Sequence, residues 1–370
     1  MKFKASTFEE RILSVQYQLR TQELKGAVIS NAENIFYLSG HLIGEGSGPS
    51  ILYIPAEGKA ILTVSESEAS LPGIEHFPGI IFPYKAKDSE DNSSALALSC
   101  FKNEYAEFVS LPLGIEAGTI SFRSAEILGI TTDRDWFEID PTVSHMRMIK
   151  DADEIEHMRS VVKISDLGQQ KAREVLEEGI SEIELQAACR HVMEIEAGIP
   201  IEMKADVLFG SRTVLIGGPA GVAGRYRAVE GNLAIVDLLP RVEGYYADTT
   251  RTLWCGPKPL KKEKIMNDLF SVKAELEKML KPGVEAAVLD GIARSKLSKV
   301  GSFPHHTGHG IGISSFEAPF ITPDSHYVLE EGMTITLEPG VYFEEWGARI
   351  EDDYLITKHG FERLSESSEV

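Results

Sequence analysis

The residues of this chain best suited to chemistry are four carboxylates on two stretches that each fold back on themselves. The first stretch, Leu233 to Leu253, reads LAIVDLLPRVEGYYADTTRTL. An apolar run and a β-prone run flank Pro240, Arg241, Val242, Glu243 and Gly244, which predicts a hairpin with a short loop. With the loop centred between Val242 and Glu243, Asp237 and Asp248 face each other, their Cβ atoms roughly 4.5–5.5 Å apart. Like charges that close repel unless a cation lies between them, which points to a metal site. The second stretch, Met333 to Ile356, has its turn in Glu344–Gly347 and pairs Glu338 with Glu351 in the same way. Between the two, PHHTGHGIG places His305, His306 and His309, three of the ten histidines, among glycines that let backbone approach a site closely. Four carboxylates and one of these imidazoles suit two hard or borderline divalent cations such as Mn, Co, Fe or Zn. The formal charges balance as well.

The elements that position these residues belong to an α/β chain. The N-terminal stretch to Gln22 predicts an amphipathic helix; a strand at Ala27–Ile29, a short helix closed by Gly40 and a hairpin over 51–64 follow. KDSEDNSS (87–94) opens a surface loop or a helix running to Tyr105, and GEGSGPS (44–50) reads as a loop without phosphate chemistry. A strand at Leu113–Glu116 and a helix near Arg123–Leu128 complete this half. A boundary is expected near residue 145, followed by a long helix from Ala152 to about Glu178. The next helix opens on a Ser181/Glu184 capping box and buries Leu185, Ala188, Cys189, Val192 and Met193, so Cys189 is core. Helices at Lys261–Leu280 and Glu285–Val300 lie between the two hairpins.

At 370 residues, two domains are expected. The 57 acidic against 37 basic residues give a net charge of -20, which argues against a nucleic-acid or anionic-membrane partner. Three scattered cysteines, Cys100, Cys189 and Cys255, predict buried thiols in a reducing compartment. With no apolar leader and no stretch as long as a membrane span, a cytoplasmic protein is expected.

VDLLPRVEGYYADTTRT, HHTGHGIG, LEPGVY and ARIEDD closely resemble the metal-binding segments of the creatinase/methionine aminopeptidase, or pita-bread, superfamily, above all its M24-type Xaa-Pro aminopeptidases and dipeptidases. The resemblance is strong over about residues 150–365 and looser before them. It implies a creatinase-type α/β domain over 1–145 and a pita-bread catalytic domain over 146–370. It further implies a dinuclear centre held by Asp237, Asp248, His309, Glu338 and Glu351, with Asp248 and Glu351 bridging and Mn the foremost ion. By the same resemblance Glu338 handles the proton of the attacking water, Arg349 orients Glu338 or Glu351, and the chain is a homodimer. No organic cofactor is implied. Two positions depart from the pattern: Gly217 and Phe316 stand where the family's peptidases usually carry substrate-contacting imidazoles. His305 is then the remaining catalytic-type histidine, donating a hydrogen bond to the oxyanion or orienting the GHG loop.

The leading expectation is therefore metal-assisted hydrolysis of the N-terminal bond of short peptides. The departures raise a second, a hydrolase or lyase of a small non-peptide C–N substrate. A third is a non-catalytic relative, against which the retained ligand set argues.

Overall fold

The computed structural model describes residues 3–43, 47–70, 74–85, 94–106, 109–217 and 221–368. Most of KDSEDNSS and the first glycines of GEGSGPS lie outside them. The chain divides into two compact units, Met1–Arg147 and Met148–Val370. The first is a six-stranded mixed sheet in the spatial order Ile80–Tyr84, Ile61–Ser65, Ile51–Pro55, Gly26–Ile29, Leu113–Ile115, Trp136–Glu138. Its central strands are buried along their whole length, as continuous apolar runs require when both faces are covered. A helix at Asp140–Met148 had no clear signal in the sequence.

The second unit is built twice over, each time from two helices backing a sheet. In its first half Ala152–Val175 and Glu182–Ala197 pack on the antiparallel strands Glu202–Phe209, Leu233–Val242 and Thr249–Trp254. Both helices start at full capping boxes, Asp151/Glu154 and Ser181/Glu184, which satisfy the free N–H groups of the first turn. Gly168 lets the long helix close on its neighbours: a Cβ there would stand 2.8 Å from Met193 Sδ and 2.9 Å from Leu238 Cδ1. In the second half, Leu260–Glu277 and Ala286–Leu297 bury Leu269, Leu276, Leu289 and Leu297 in one core with Ile335, Leu337 and Ile356. Those last three belong to a five-stranded sheet in the order Glu317–Ile321, Gly308–Gly310, Thr334–Leu337, Asp352–Thr357, Gly360–Arg363. Cys189 and Cys255 are buried, but Cys100 is only half-buried, correcting the expectation of three buried thiols.

The two sheets meet at a single antiparallel bridge, Thr250 to Glu351, with N···O distances of 3.4 and 3.0 Å. The threonine-rich segment beside it works through side-chain alternation. Thr250 and Thr252 face the junction; Thr250 Oγ1 donates to Glu351 Oε2 at 2.8 Å, and Thr252 Oγ1 donates to the Arg349 carbonyl at 2.7 Å. Thr249 and Arg251 point the other way. Thr249 is clamped by Ser165 and Gln169 of the long helix. Arg251, fully buried, pairs with Asp352 at 2.6 Å, and Lys273 contacts the same carboxylate. Removing one member of a buried ion pair leaves charge uncompensated. Arg251→Met is therefore expected to lower unfolding stability by about 3 kcal/mol in urea titration, whereas a loss below about 1 kcal/mol would show that Lys273 alone suffices.

Candidate metal centre

The five expected ligands converge on the junction of the two sheets. Asp237 projects from Leu233–Val242, and Asp248 occupies the break between Tyr245–Tyr246 and Thr249–Trp254. The first hairpin is not registered as the spacing suggested. Its turn is the two residues Glu243 and Gly244, with φ of 45° and 94°, the signature of a type I′ turn. Asp237 consequently pairs with Thr250, not Asp248. The error is two residues, the repeat of a strand, so Asp248 stays on the same face as a diagonal neighbour of Asp237. The second hairpin keeps the expected register: Gly340 pairs with Arg349 and Leu337 with Asp352, and Glu338 and Glu351 lie between these two ladders.

His309 completes the group. Its Nε2 lies 3.7 Å from Asp248 Oδ2 and 3.4 Å from Glu338 Oε1. Its Nδ1 donates to the Gly310 carbonyl at 2.9 Å, and burial lowers its pKa, so Nε2 is held as a neutral lone-pair donor. Donor atoms of Asp248, His309 and Glu351 lie within 4.8 Å of one another, as do those of His306, His309 and Glu338.

The electrostatics favour a cation among these carboxylates. Burial, then the charges of Glu351, Asp237, Glu338 and Asp353, pushes the Asp248 carboxyl well above its ordinary range. Glu351 is raised by burial and then by Glu338 and Asp237. Glu338 goes the other way: burial alone would raise it, but His306, His309 and His305 hold it down at about 2. Asp237 Oδ1, Asp248 Oδ1 and Glu351 Oε1 are buried without a hydrogen-bond partner, and Glu338 Oε1 has the imidazoles of His306 and His309 beside it. Buried carboxylate oxygens left unpartnered around a neutral imidazole are a donor set that fits divalent cations.

Residues 156–358 match the metallopeptidase family M24, and residues 11–149 match the creatinase/prolidase N-terminal domain. The chain belongs to metallopeptidase family M24. YkvY of Bacillus subtilis is 30% identical over 361 residues, spanning 96% of this chain and 97% of its own. An Xaa-Pro dipeptidase of Pyrococcus horikoshii is 27% identical, spanning 97% of each chain. The crystal structure of the prolidase from Pyrococcus horikoshii OT3 superposes with a TM-score of 0.83 at 27% identity, covering 97% of this chain and 99% of that one. This M24 protein is accordingly an enzyme, a hydrolase of the metallopeptidase type whose family works with divalent metal ions.

Two other expected residues of the enzyme stand differently from expectation. Arg349 is buried, but its guanidinium goes to Asp237 Oδ2 at 2.7 Å and Asp206 Oδ2 at 3.4 Å, not to Glu338 or Glu351. Glu351 is oriented by Thr250 instead. His305 has both nitrogens engaged: Nδ1 donates to the His306 carbonyl at 2.8 Å, and Nε2 accepts from the Tyr342 hydroxyl at 3.0 Å. Arg349 Nη1 in turn donates to that hydroxyl at 2.9 Å. His305 therefore steadies the loop and, through Tyr342, the arginine that holds Asp237.

Two side chains were missed. Asp206 lies directly opposite Asp237 in the ladder and accepts from the Gly217 N–H at 3.0 Å; burial and Asp237 raise its carboxyl to about 6. The alternating polar residues Glu202, Lys204 and Asp206 were the signal for this strand. His306 is the histidine whose ring comes nearest to Glu338, at 2.6 Å against 3.7 Å for His305. Phe316 packs at a tilt against the rings of His309 and His306 with centroids 4.5 and 4.9 Å apart, and Gly217 sits at φ 58°, where a side chain is strained.

Carboxyls raised by folding bind protons that the unfolded chain has released. The contribution of Asp248 and Glu351 to the stability of metal-free protein is therefore fully present below the ordinary carboxylate range and is lost as pH rises through their elevated values. Chelator-treated protein is expected to melt lower at about pH 8 than at about pH 6, and added Mn to reverse the difference. Asp248→Asn should raise the melting temperature of the stripped protein at the higher pH and abolish stabilisation by Mn; a lower melting temperature for stripped Asp248→Asn would contradict the charge argument.

Proposed function

We propose that this enzyme is a dinuclear-metal-dependent aminopeptidase or dipeptidase that cleaves the N-terminal peptide bond of short peptides, Xaa-Pro substrates foremost. The observation that carries the reading is the convergence of four buried carboxylates on His309, three of them with an oxygen left unpartnered. In this reading Asp237, Asp248, His309, Glu338 and Glu351 would hold the ions. Mn is the first ion to test, then Co, Zn and Fe. Residues 146–370 form the catalytic domain, residues 1–145 an accessory creatinase-type domain, and the working form is a homodimer. That last expectation rests on family likeness and is checked by light scattering.

Bound divalent ions would acidify the attacking water and polarise the scissile carbonyl. The chain's own residues do the rest. Glu338, held ionised by the surrounding imidazoles, accepts the proton of the attacking water. As the new C–O bond forms and the C–N bond breaks, the same carboxyl returns that proton to the leaving nitrogen. Arg349 fixes Asp237, Thr250 fixes Glu351, and the Gly310 carbonyl fixes the His309 tautomer, so none of these side chains reorganises during the reaction.

A second reading is favoured by Phe316. Its half-exposed ring lies over the imidazoles, giving the site an apolar wall where a peptide-binding hydrogen-bond donor is expected. A small non-peptide C–N substrate suits such a wall. With Mn added, the enzyme is expected to hydrolyse Xaa-Pro dipeptides, and Glu338→Gln to lower kcat by about 10²–10⁴-fold. Phe316→His should raise kcat/KM on those dipeptides about tenfold. If no Xaa-Pro dipeptide or longer Xaa-Pro peptide turns over with any of the four metals, the peptide reading fails and the non-peptide reading stands.

A further inference from the structure

His306 lies outside the five ligand positions, yet it is placed as a ligand would be. Its Nε2 stands 2.6 Å from Glu338 Oε1, and the same oxygen is 3.4 Å from His309 Nε2. Glu338 Oε1 thus lies between two imidazole nitrogens, and its 2.6 Å contact with His306 is of hydrogen-bond length. A cation seated among these three donors would take the place of that contact. All three donor atoms lie within 4.8 Å of one another.

The position is also fixed from behind. Arg294, paired with Asp290 through two nitrogens, donates to the His305 carbonyl at 2.7 Å. Asp290 accepts from Thr307 Oγ1 at 2.8 Å, and His305 Nδ1 donates to the carbonyl of His306 itself. The backbone is therefore tethered before, at and after His306. The ring is then confined by edge contact with His309, centroids 5.3 Å apart, and by the tilted face of Phe316. Tethering of this kind orients metal-bound imidazoles. A residue that merely decorated the entrance would need none of it.

We propose that His306 is a sixth metal ligand, joining His309 and Glu338 on one of the two ions and giving that ion two imidazoles. The inference rests on the metal-centre reading above and adds to it a chemical consequence. A site with two nitrogen donors favours Zn, Co or Fe over Mn, whereas the partner site, rich in carboxylates, does not. The centre is built to discriminate between its two ions.

The test reads metal binding directly. Stripped wild-type protein, His306→Gln, His306→Ala and Phe316→Ala are titrated with Zn and with Co against a chromophoric chelator, and Co-loaded samples are examined by visible absorption and X-ray absorption spectroscopy. Expected for His306→Gln and His306→Ala is at least about tenfold weaker binding of one equivalent, with the other little changed and a loss of Co absorption intensity or energy. X-ray absorption should count one imidazole fewer per two ions. Glutamine keeps a hydrogen-bond donor at the position, so wild-type binding in His306→Gln alongside weakened binding in His306→Ala would assign His306 to holding Glu338 and overturn the proposal. Phe316→Ala, which removes a ring contact but no nitrogen, should weaken binding far less than either His306 variant does; equal weakening there would assign the effect to packing. Wild-type protein that binds no metal would overturn the metal-centre reading together with this one, while two equivalents bound identically by wild type and both His306 variants would overturn this one alone.

Discussion

The structure turns on one electrostatic constraint: two sheets are brought edge to edge at a place where each contributes carboxylates. Asp248 and Glu351 are buried together there, and each is raised by the other acids around it. Within the protein, direct positive compensation comes from Arg349, which serves Asp237 and Asp206. Strand alternation keeps a second charge system, Arg251, Lys273 and Asp352, on the opposite face. The two systems are back to back. In the rear one Arg251 and Lys273 face Asp352, with Glu277 beside Lys273, so each charge has an opposite one at hand, while in the front one oxygens of Asp237, Asp248 and Glu351 have no hydrogen-bond partner. A cage of that kind weakens the empty fold, since desolvated like charges repel, and the same repulsion becomes affinity once cations enter.

Much of this was legible because strands translate spacing into facing. Glu338 and Glu351 lie equidistant from a turn whose register the structure keeps. Asp237 and Asp248 came out on one face although the turn was misplaced, because the misregister equalled the two-residue repeat of a strand; an error of one residue would have turned Asp248 away from the site. What could not be read was set by loops and by tertiary partners. His305 and His306 are adjacent in a glycine-rich loop with no periodicity to say which ring faces inward. Arg349 could be expected near a carboxylate, but its choice of Asp237 depends on how the second hairpin crosses the first. Asp206 went unnoticed because its strand, beginning EMKAD, carries charges that made it look solvated, whereas they alternate toward a site. The helix at Asp140–Met148 contains Pro141, which reads as a breaker yet is tolerated in a first helical turn.

The surroundings of the centre combine rigid support with an unusual wall. Tyr342 links His305 to Arg349, Asp290 and Arg294 tether the histidine loop, and Thr250 joins the sheets. Against this polar scaffold Phe316 offers a ring where hydrogen bonding would serve a peptide carbonyl. The contrast separates two properties that a family resemblance would couple: the expected carboxylates and imidazole come together at the junction, while a phenylalanine ring lies over the imidazoles.

The bridge between Thr250 and Glu351 has a further consequence, for the order of events as the chain matures. The donors run from Asp237 to Glu351 and come from two halves, each with its own helix pair and core. Until both halves have formed and that bridge has closed, the nascent chain offers isolated carboxylates and a histidine, none of which holds an ion tightly by itself. In the proposed centre metal would not nucleate the fold; it would be captured afterwards. Selection among the cell's ions then falls to a finished cavity of fixed geometry, which is how a protein escapes the general preference of loose N and O donors for the tightest-binding metal.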